Sequence, residues 1–149
     1  MQKCTLALGC FWKPEENFKN KPGILETEVG YAGGNSEQTT YEEVCTGKTG
    51  HAEVVRLTFD ESKISFKKIL DLFFKMHDPT QKDMQFPDVG TQYRSEIFYE
   101  DEKQKKDATE VLNVFNKKLD GKIQTNISVL KNYCKAEEYH QKYIEKNRR

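Results

Sequence analysis

The chain alternates short apolar runs with longer amphipathic ones, and glycine or proline falls at many of the junctions. Cys4 to Leu8 reads as a strand bounded by Gly9. A helix is expected from about Phe11 to Lys19, with Pro14 in its first turn, where a missing N–H costs little. Pro22-Gly23 ends it. Ile24 to Tyr31 reads as a second strand closed by Gly33-Gly34, and a short helical turn is expected around Thr40 to Cys45. Ala52 to Phe59 is the strongest strand signal. Ser65 opens an amphipathic helix that carries Phe66, Ile69, Leu70, Phe73 and Phe74 at helical spacing. His77 to Gln92 holds two prolines and few apolar groups, which predicts a long loop, a place where function often sits. Arg94 to Tyr99 is a predicted strand, Asp101 to Leu119 a long charged helix, Thr125 to Leu130 a last strand, and Ala136 to Lys146 a closing helix. Strands alternating with helices predict an α/β or α+β sandwich built from βαβ-type units, in one domain over residues 1–149.

Composition narrows the function classes. Lys+Arg and Asp+Glu both count 24, a balance that argues against a phosphate-backbone binder. The basic terminus Lys146-Asn147-Arg148-Arg149 reads as a solvated helix end rather than a nucleic-acid footprint. No apolar run approaches the roughly 20 residues that span a bilayer, and the first eight residues lack the apolar stretch and cleavage site of a signal peptide. A cytoplasmic protein with mostly reduced thiols is therefore expected. Nothing signals an obligate oligomer, so a monomer is expected. The cysteines Cys4, Cys10, Cys45 and Cys134 contain no C-x-x-C pair, and His51, His77 and His140 are scattered, so no metal site is expected.

The candidate chemistry starts at Cys10. It follows a strand and a glycine and precedes a helix, where orphan N–H groups and the helix dipole favour a thiolate. The alternative is a small buried hydrophobe, the commoner fate of a cysteine. Phe11 and Trp12 either join the core or wall an apolar pocket beside the sulfur. Glu53 lies in an otherwise apolar strand. Facing inward, it would lose water and become a general acid near neutral pH; facing outward, it is one of many solvated carboxylates. The segment Phe86 to Ser95 carries polar groups, including Asp88 and Tyr93, from a loop into a strand. Tyr41 and Tyr93 are hydroxyl donors that are either functional or half-buried structural tyrosines.

Six segments, taken in order, resemble the A-type peptide-methionine sulfoxide reductases. They are Gly9-Cys10-Phe11-Trp12 with Glu15, Val29-Gly30-Tyr31-Ala32-Gly33-Gly34, Tyr41-Glu42-Glu43-Val44-Cys45, Thr49-Gly50-His51-Ala52-Glu53, Asp88-Val89-Gly90-Thr91-Gln92-Tyr93-Arg94-Ser95, and Ala136-Glu137-Glu138-Tyr139-His140-Gln141. The resemblance implies an α+β, two-layer α/β sandwich with a mixed sheet and a ferredoxin-like core. It implies reduction of the S epimer of free or peptide-bound methionine sulfoxide, in the repair of oxidised proteins, with no bound cofactor. Cys10 would attack the sulfoxide sulfur and become a sulfenic acid. Glu53 would donate to the sulfoxide oxygen, Tyr41 and Tyr93 would hold that oxygen, and Asp88 would fix the polar side. Phe11 and Trp12 would receive the terminal methyl group. Residue chemistry alone also admits a thiol peroxidase or redox sensor, or a non-catalytic module that binds methionine-containing peptides.

Recycling is less determined. Many relatives carry a glycine-rich, cysteine-bearing tail, and these 149 residues contain none. Cys134, just before the closing helix, is a possible resolving thiol, whereas Cys45 reads as structural. Cys4 lies six residues from Cys10, about 20 Å if extended, too far for a disulfide. The expectation is that an external thiol, either thioredoxin or glutathione with glutaredoxin, attacks the sulfenic acid directly.

Overall fold

The computed structural model describes residues 1–147, so the Arg148-Arg149 end of the basic terminus lies outside the described residues. Strands β1 (Gln2–Leu8), β2 (Ile24–Ala32), β3 (Ala52–Phe59), β6 (Ser95–Tyr99), β7 (Asn126–Val129) and β8 (Cys134–Lys135) form one sheet in the order β7-β6-β1-β3-β2-β8. Strands β4 (Met84–Gln85) and β5 (Asp88–Val89) make a small separate hairpin. All pairings in the large sheet are antiparallel except β6 with β7, so the sheet is mixed. Its central order β6-β1-β3-β2, with α1 (Trp12–Lys19) joining β1 to β2 and α3 (Phe66–Met76) leading from β3 towards β6, is the ferredoxin-like βαββαβ arrangement.

Period-two alternation decides the two faces. Cys4, Leu6 and Leu8 of β1 and Val55, Leu57 and Phe59 of β3 point into the main core, where they meet Phe18, Phe66, Ile69, Leu70 and Phe73. Each buried phenylalanine contributes roughly 2 kcal/mol. The opposite face holds mainly small residues, Ala7, Ala32, Ala52 and Val54, with Phe98, and Leu130 and Tyr133 pack on it. Ser65 caps α3 by accepting from Lys68 N at 3.0 Å, and Asp101 caps α4 (Glu102–Lys118) by accepting from Gln104 N at 2.8 Å. Stacking of Phe74 on Phe115 at 5.0 Å joins these two helices.

Two predicted elements change. The expected loop 77–92 contains the β4–β5 hairpin, turned at a cis Phe86–Pro87 bond, and ends in a 3-10 turn at Thr91–Tyr93. The expected closing helix over Ala136 to Lys146 is instead an irregular strap. It runs from β8 through a 3-10 turn at Glu138–His140 and a left-handed Lys142 (φ 51) to a single helical turn, α5 (Tyr143–Lys146). The reason lies in Gln141: its amide accepts from Val29 N at 2.9 Å and donates to Val29 O and Ala136 O, each at 2.9 Å. Those bonds hold the strap against the edge of β2, where an unbroken helix would carry it away.

Candidate active site

The site is built where β1 runs into α1. Gly9 takes φ +96, and a Cβ there would come within 2.9 Å of the Gln85 side chain, so glycine is what lets the hairpin close over this turn. Gln85 is in turn fixed by accepting from Asp78 N (3.0 Å) and donating to Asp78 O (2.6 Å). Cys10 follows and is half-buried, with a free thiol. Burial pushes that thiol up to about 12; the charges of Glu53, Asp88 and Cys45 push the same way, and only the Trp12 backbone N–H opposes them. The N–H is present, but loss of water and nearby negative charge outweigh it, and the resting group is a thiol.

Glu53 faces inward. It stands opposite Tyr31 in the sheet and lies in register with Val55, Leu57 and Phe59, on the helix-covered face, and is 1% exposed. Its Oε1 accepts from the backbone N–H of Phe11 at 3.3 Å, while its Oε2 is buried without a partner. Burial, aided by the charge of Asp88, raises this carboxyl to about 8 against the Phe11 hydrogen bond. At neutral pH it is a protonated acid with one free oxygen.

Tyr41 opens α2 (Tyr41–Cys45), and its backbone N–H donates to Glu137 Oε2 at 2.9 Å. Tyr93 closes the 3-10 turn after the hairpin, its N–H donating to Gly90 O at 3.0 Å. Arg94 secures that turn by donating to Thr91 O and to Gly50 O, both at 3.0 Å, the latter just before β3. Burial raises the Tyr93 hydroxyl to about 12, and the charges of Glu53, Cys45, Asp88 and Cys10 all act on it. Asp88, opposite Gln85 in the hairpin, acts on Cys10, Glu53 and Tyr93 alike. Cys10, Glu53, Tyr93 and Asp88 thus form one electrostatic cluster. Tyr41 joins it: burial is the main influence raising its hydroxyl, which hydrogen-bonds Cys45, and Glu53 and Tyr93 act on it too. Cys45 was read as structural, yet it is exposed at the end of α2 and acts on Cys10.

Phe11 is 1% exposed, between Tyr31 (ring centroids 5.7 Å) and His140 (5.2 Å), whereas Trp12 is only partly buried. The Trp12 indole N–H donates to His140 Nδ1 at 3.0 Å, and its ring stacks on Tyr143 at 3.8 Å with 10° between the planes. Sequence reasoning assigned no role to Glu15, Glu137, His140, Gln141 or Tyr143. Glu15 accepts from Thr27 Oγ1 (2.8 Å) and from Lys142 N (2.6 Å), and Glu137 accepts from the Tyr31 hydroxyl (2.7 Å). A signal existed: the dense aromatic and polar run Glu137 to Tyr143.

The other thiols are less engaged. Cys4 is fully buried in β1, where burial raises its thiol strongly. Cys134 lies on β8 opposite Tyr31, which stands opposite Glu53, so two strand spacings put its Cα about 10 Å from that of Glu53. Its sulfur donates to Thr39 O at 3.7 Å. Among the described residues no group of three or more His, Cys, Asp or Glu side chains is placed to hold a metal ion, and no helix is long and apolar enough to cross a membrane.

Comparison with known proteins agrees with this arrangement. The family model described as "Peptide methionine sulfoxide reductase" matches residues 2–149. A peptide methionine sulfoxide reductase MsrA of Pelagibacter ubique is 56% identical over 146 residues, covering 98% of this chain and 99% of that protein. The crystal structure of reduced Mxr1 from Saccharomyces cerevisiae superposes with a TM-score of 0.93 at 37% identity, over 98% of this chain and 85% of that one. Mxr1 in complex with Trx2 matches with a TM-score of 0.68 at 26% identity, over 95% and 84%. Matches of this identity and coverage establish that the chain belongs to the peptide methionine sulfoxide reductase family, in its MsrA branch.

Proposed function

We propose that this enzyme reduces the S epimer of free and peptide-bound methionine sulfoxide through a sulfenic acid on Cys10. The observation that carries the reading is Glu53: a buried carboxyl, protonated to about pH 8, with Oε2 unpartnered, in the same cluster as a half-buried thiol. A sulfoxide oxygen leaves sulfur only once it is protonated, and a dry acid supplies that proton. As Glu53 donates its proton to the oxygen, the Cys10 sulfur bonds to the substrate sulfur, and the thiol proton passes through solvent to restore the Glu53 carboxyl. The hydroxyl ends on Cys10 and the thioether departs, so thiol plus sulfoxide gives sulfenic acid plus methionine. The hydroxyls of Tyr41 and Tyr93 hold the oxygen, and Asp88 keeps that side polar. Trp12, backed by Phe11, takes the methyl group on the other side. An apolar wall facing hydroxyl donors distinguishes the two epimers, because the wrong one places its oxygen against an indole.

An external thiol then returns Cys10 to the reduced state in the cytoplasm. The complex of the similar Mxr1 with Trx2 supports thioredoxin in this role; glutathione with glutaredoxin is the alternative donor. The decisive assay mixes the protein with a chiral methionine sulfoxide peptide and dithiothreitol. Loss of the S epimer alone, abolished in Cys10→Ser, is expected. Turnover of both epimers, or of peroxide instead, overturns the reading. Mass measurement after oxidation by substrate alone tests the recycling step: a Cys10–Cys134 or Cys10–Cys45 disulfide formed as fast as turnover would exclude direct attack by an external thiol.

A further inference from the structure

The methyl side of the pocket depends on a residue that touches no reacting atom. An indole N–H is only a donor, so the 3.0 Å contact from Trp12 Nε1 requires a lone pair on His140 Nδ1. His140 is therefore the neutral tautomer with its proton on Nε2. It is 2% exposed, and burial lowers its pKa against the opposing charge of Glu137, which keeps the ring in that form. Around it stand the rings of Phe11 (5.2 Å), Tyr41 (4.6 Å) and Tyr139 (4.2 Å). Three residues placed in the pocket above, Phe11, Trp12 and Tyr41, thus share one histidine.

The histidine is itself fixed from both sides. Gln141 ties its neighbour to Val29, and Glu137 ties the preceding turn to Tyr31 and to the N–H of Tyr41. Without its acceptor, a partly exposed tryptophan has several rotamers open to it, and its indole N–H seeks water.

We infer that His140 is a positioning residue: through its Nδ1 acceptor it fixes the Trp12 indole in one orientation and so sets how tightly, and which epimer of, the sulfoxide is held. The inference rests on the methionine sulfoxide reading, but part of its test does not. Trp12 is the only tryptophan in the chain, so its emission reports on the surroundings of this indole alone.

His140→Phe keeps a flat ring and removes the acceptor, while His140→Asn returns an oxygen near the Nδ1 position. In His140→Phe, acrylamide quenching of Trp12 is expected to rise severalfold. KM for the S epimer should rise about tenfold with kcat little changed, since a wall bound equally in ground and transition states acts on KM. Preference for the S over the R epimer should fall with it, and His140→Asn should restore all three. The alkylation rate of Cys10 should stay at the wild-type value in both variants. Equal KM values in His140→Phe and wild type, or equal impairment in the Phe and Asn variants, overturn the inference in favour of plain packing. If His140→Phe does not fold, the wild type decides: its single indole N–H proton should exchange slowly with deuterated water, and exchange at the rate of a free indole overturns the bond. A wild type that reduces neither epimer refutes the functional reading, whereas quenching and exchange still judge the brace by themselves.

Discussion

The first 20 residues and the strap from Cys134 to Asn147 meet in the same site, but they are held there by different forces. The β1–Cys10–α1 unit is held by ladder hydrogen bonds to β3 and β6 and by buried Leu6, Leu8 and Phe18. The strap has one short strand, one 3-10 turn and one helical turn, and side chains bonded to distant backbone groups hold the rest: Gln141 to Val29, Glu137 to Tyr41, and Glu15 to Lys142 N. The regular unit carries Cys10, the sulfur proposed to react. The irregular one carries no reacting atom and shapes the wall beside it. Substitutions should therefore separate: those at the regular unit and its β3 neighbour stop chemistry, and those in the strap loosen binding.

Glu53→Gln should have the largest effect. Losing a general acid costs about 10²–10⁴ in kcat. In the wild type, kcat/KM should fall as pH rises through about 8, where the carboxyl loses its proton; in the variant that limb should vanish. Stability follows with the opposite benefit. The folded-state pKa lies above the usual carboxylate value, so folding retains a proton that the unfolded chain gives up between about pH 4.5 and 8, and stability falls across that window. Glu53→Gln removes the penalty and should raise stability by on the order of 5 kcal/mol at pH 9, with little change at pH 4. Denaturation at the two pH values checks this; equal shifts at both would mean that Glu53 is not a buried acid.

That contrast also explains what could be read in advance. The strand β3 was legible as an apolar run, and period-two alternation within it puts Glu53 on the face of Val55 and Leu57. The inward reading was one of two that stayed open, because a glutamate is rarely buried unpaired. Cys10 was legible as a thiol at a helix start, but the burial and charge that act on it were not. The helix start is local in sequence, whereas Asp88 and the hairpin that approaches Gly9 arrive from 75 residues or more downstream. The strap was misread as a helix for the same reason, since Gln141 bonds a residue 112 positions away and no periodicity records that.

Gln141→Ala tests the strap as a whole. It removes three hydrogen bonds and leaves Val29 N without its acceptor at a site 5% exposed, while Val29 O keeps only the Ala136 N–H (3.0 Å), so a loss of about 2–3 kcal/mol is expected by denaturant unfolding. KM should rise because His140 and Tyr143 flank the slackened residue, while the rate of Cys10 alkylation should not change. Altered alkylation would mean that the strap and the sulfur form one cooperative unit, and the separation drawn above would fail.

The finest test is Tyr143→Leu. Tyr143 lies flat against Trp12, at 3.8 Å and 10°, and an aromatic pair contributes about 0.5–1.5 kcal/mol beyond its area. Leucine preserves apolar cover but not the stack. The hydrogen bond from Trp12 to His140 remains, so the indole keeps its edge fixed while one face loses its plate. A rise in KM of about threefold is therefore expected, smaller than for loss of the His140 acceptor, with the S preference retained. If Tyr143→Leu instead matched His140→Phe in both KM and epimer preference, the stack rather than the bond would orient Trp12. The strap would then act through shape alone, and its difference from the regular unit would reduce to packing.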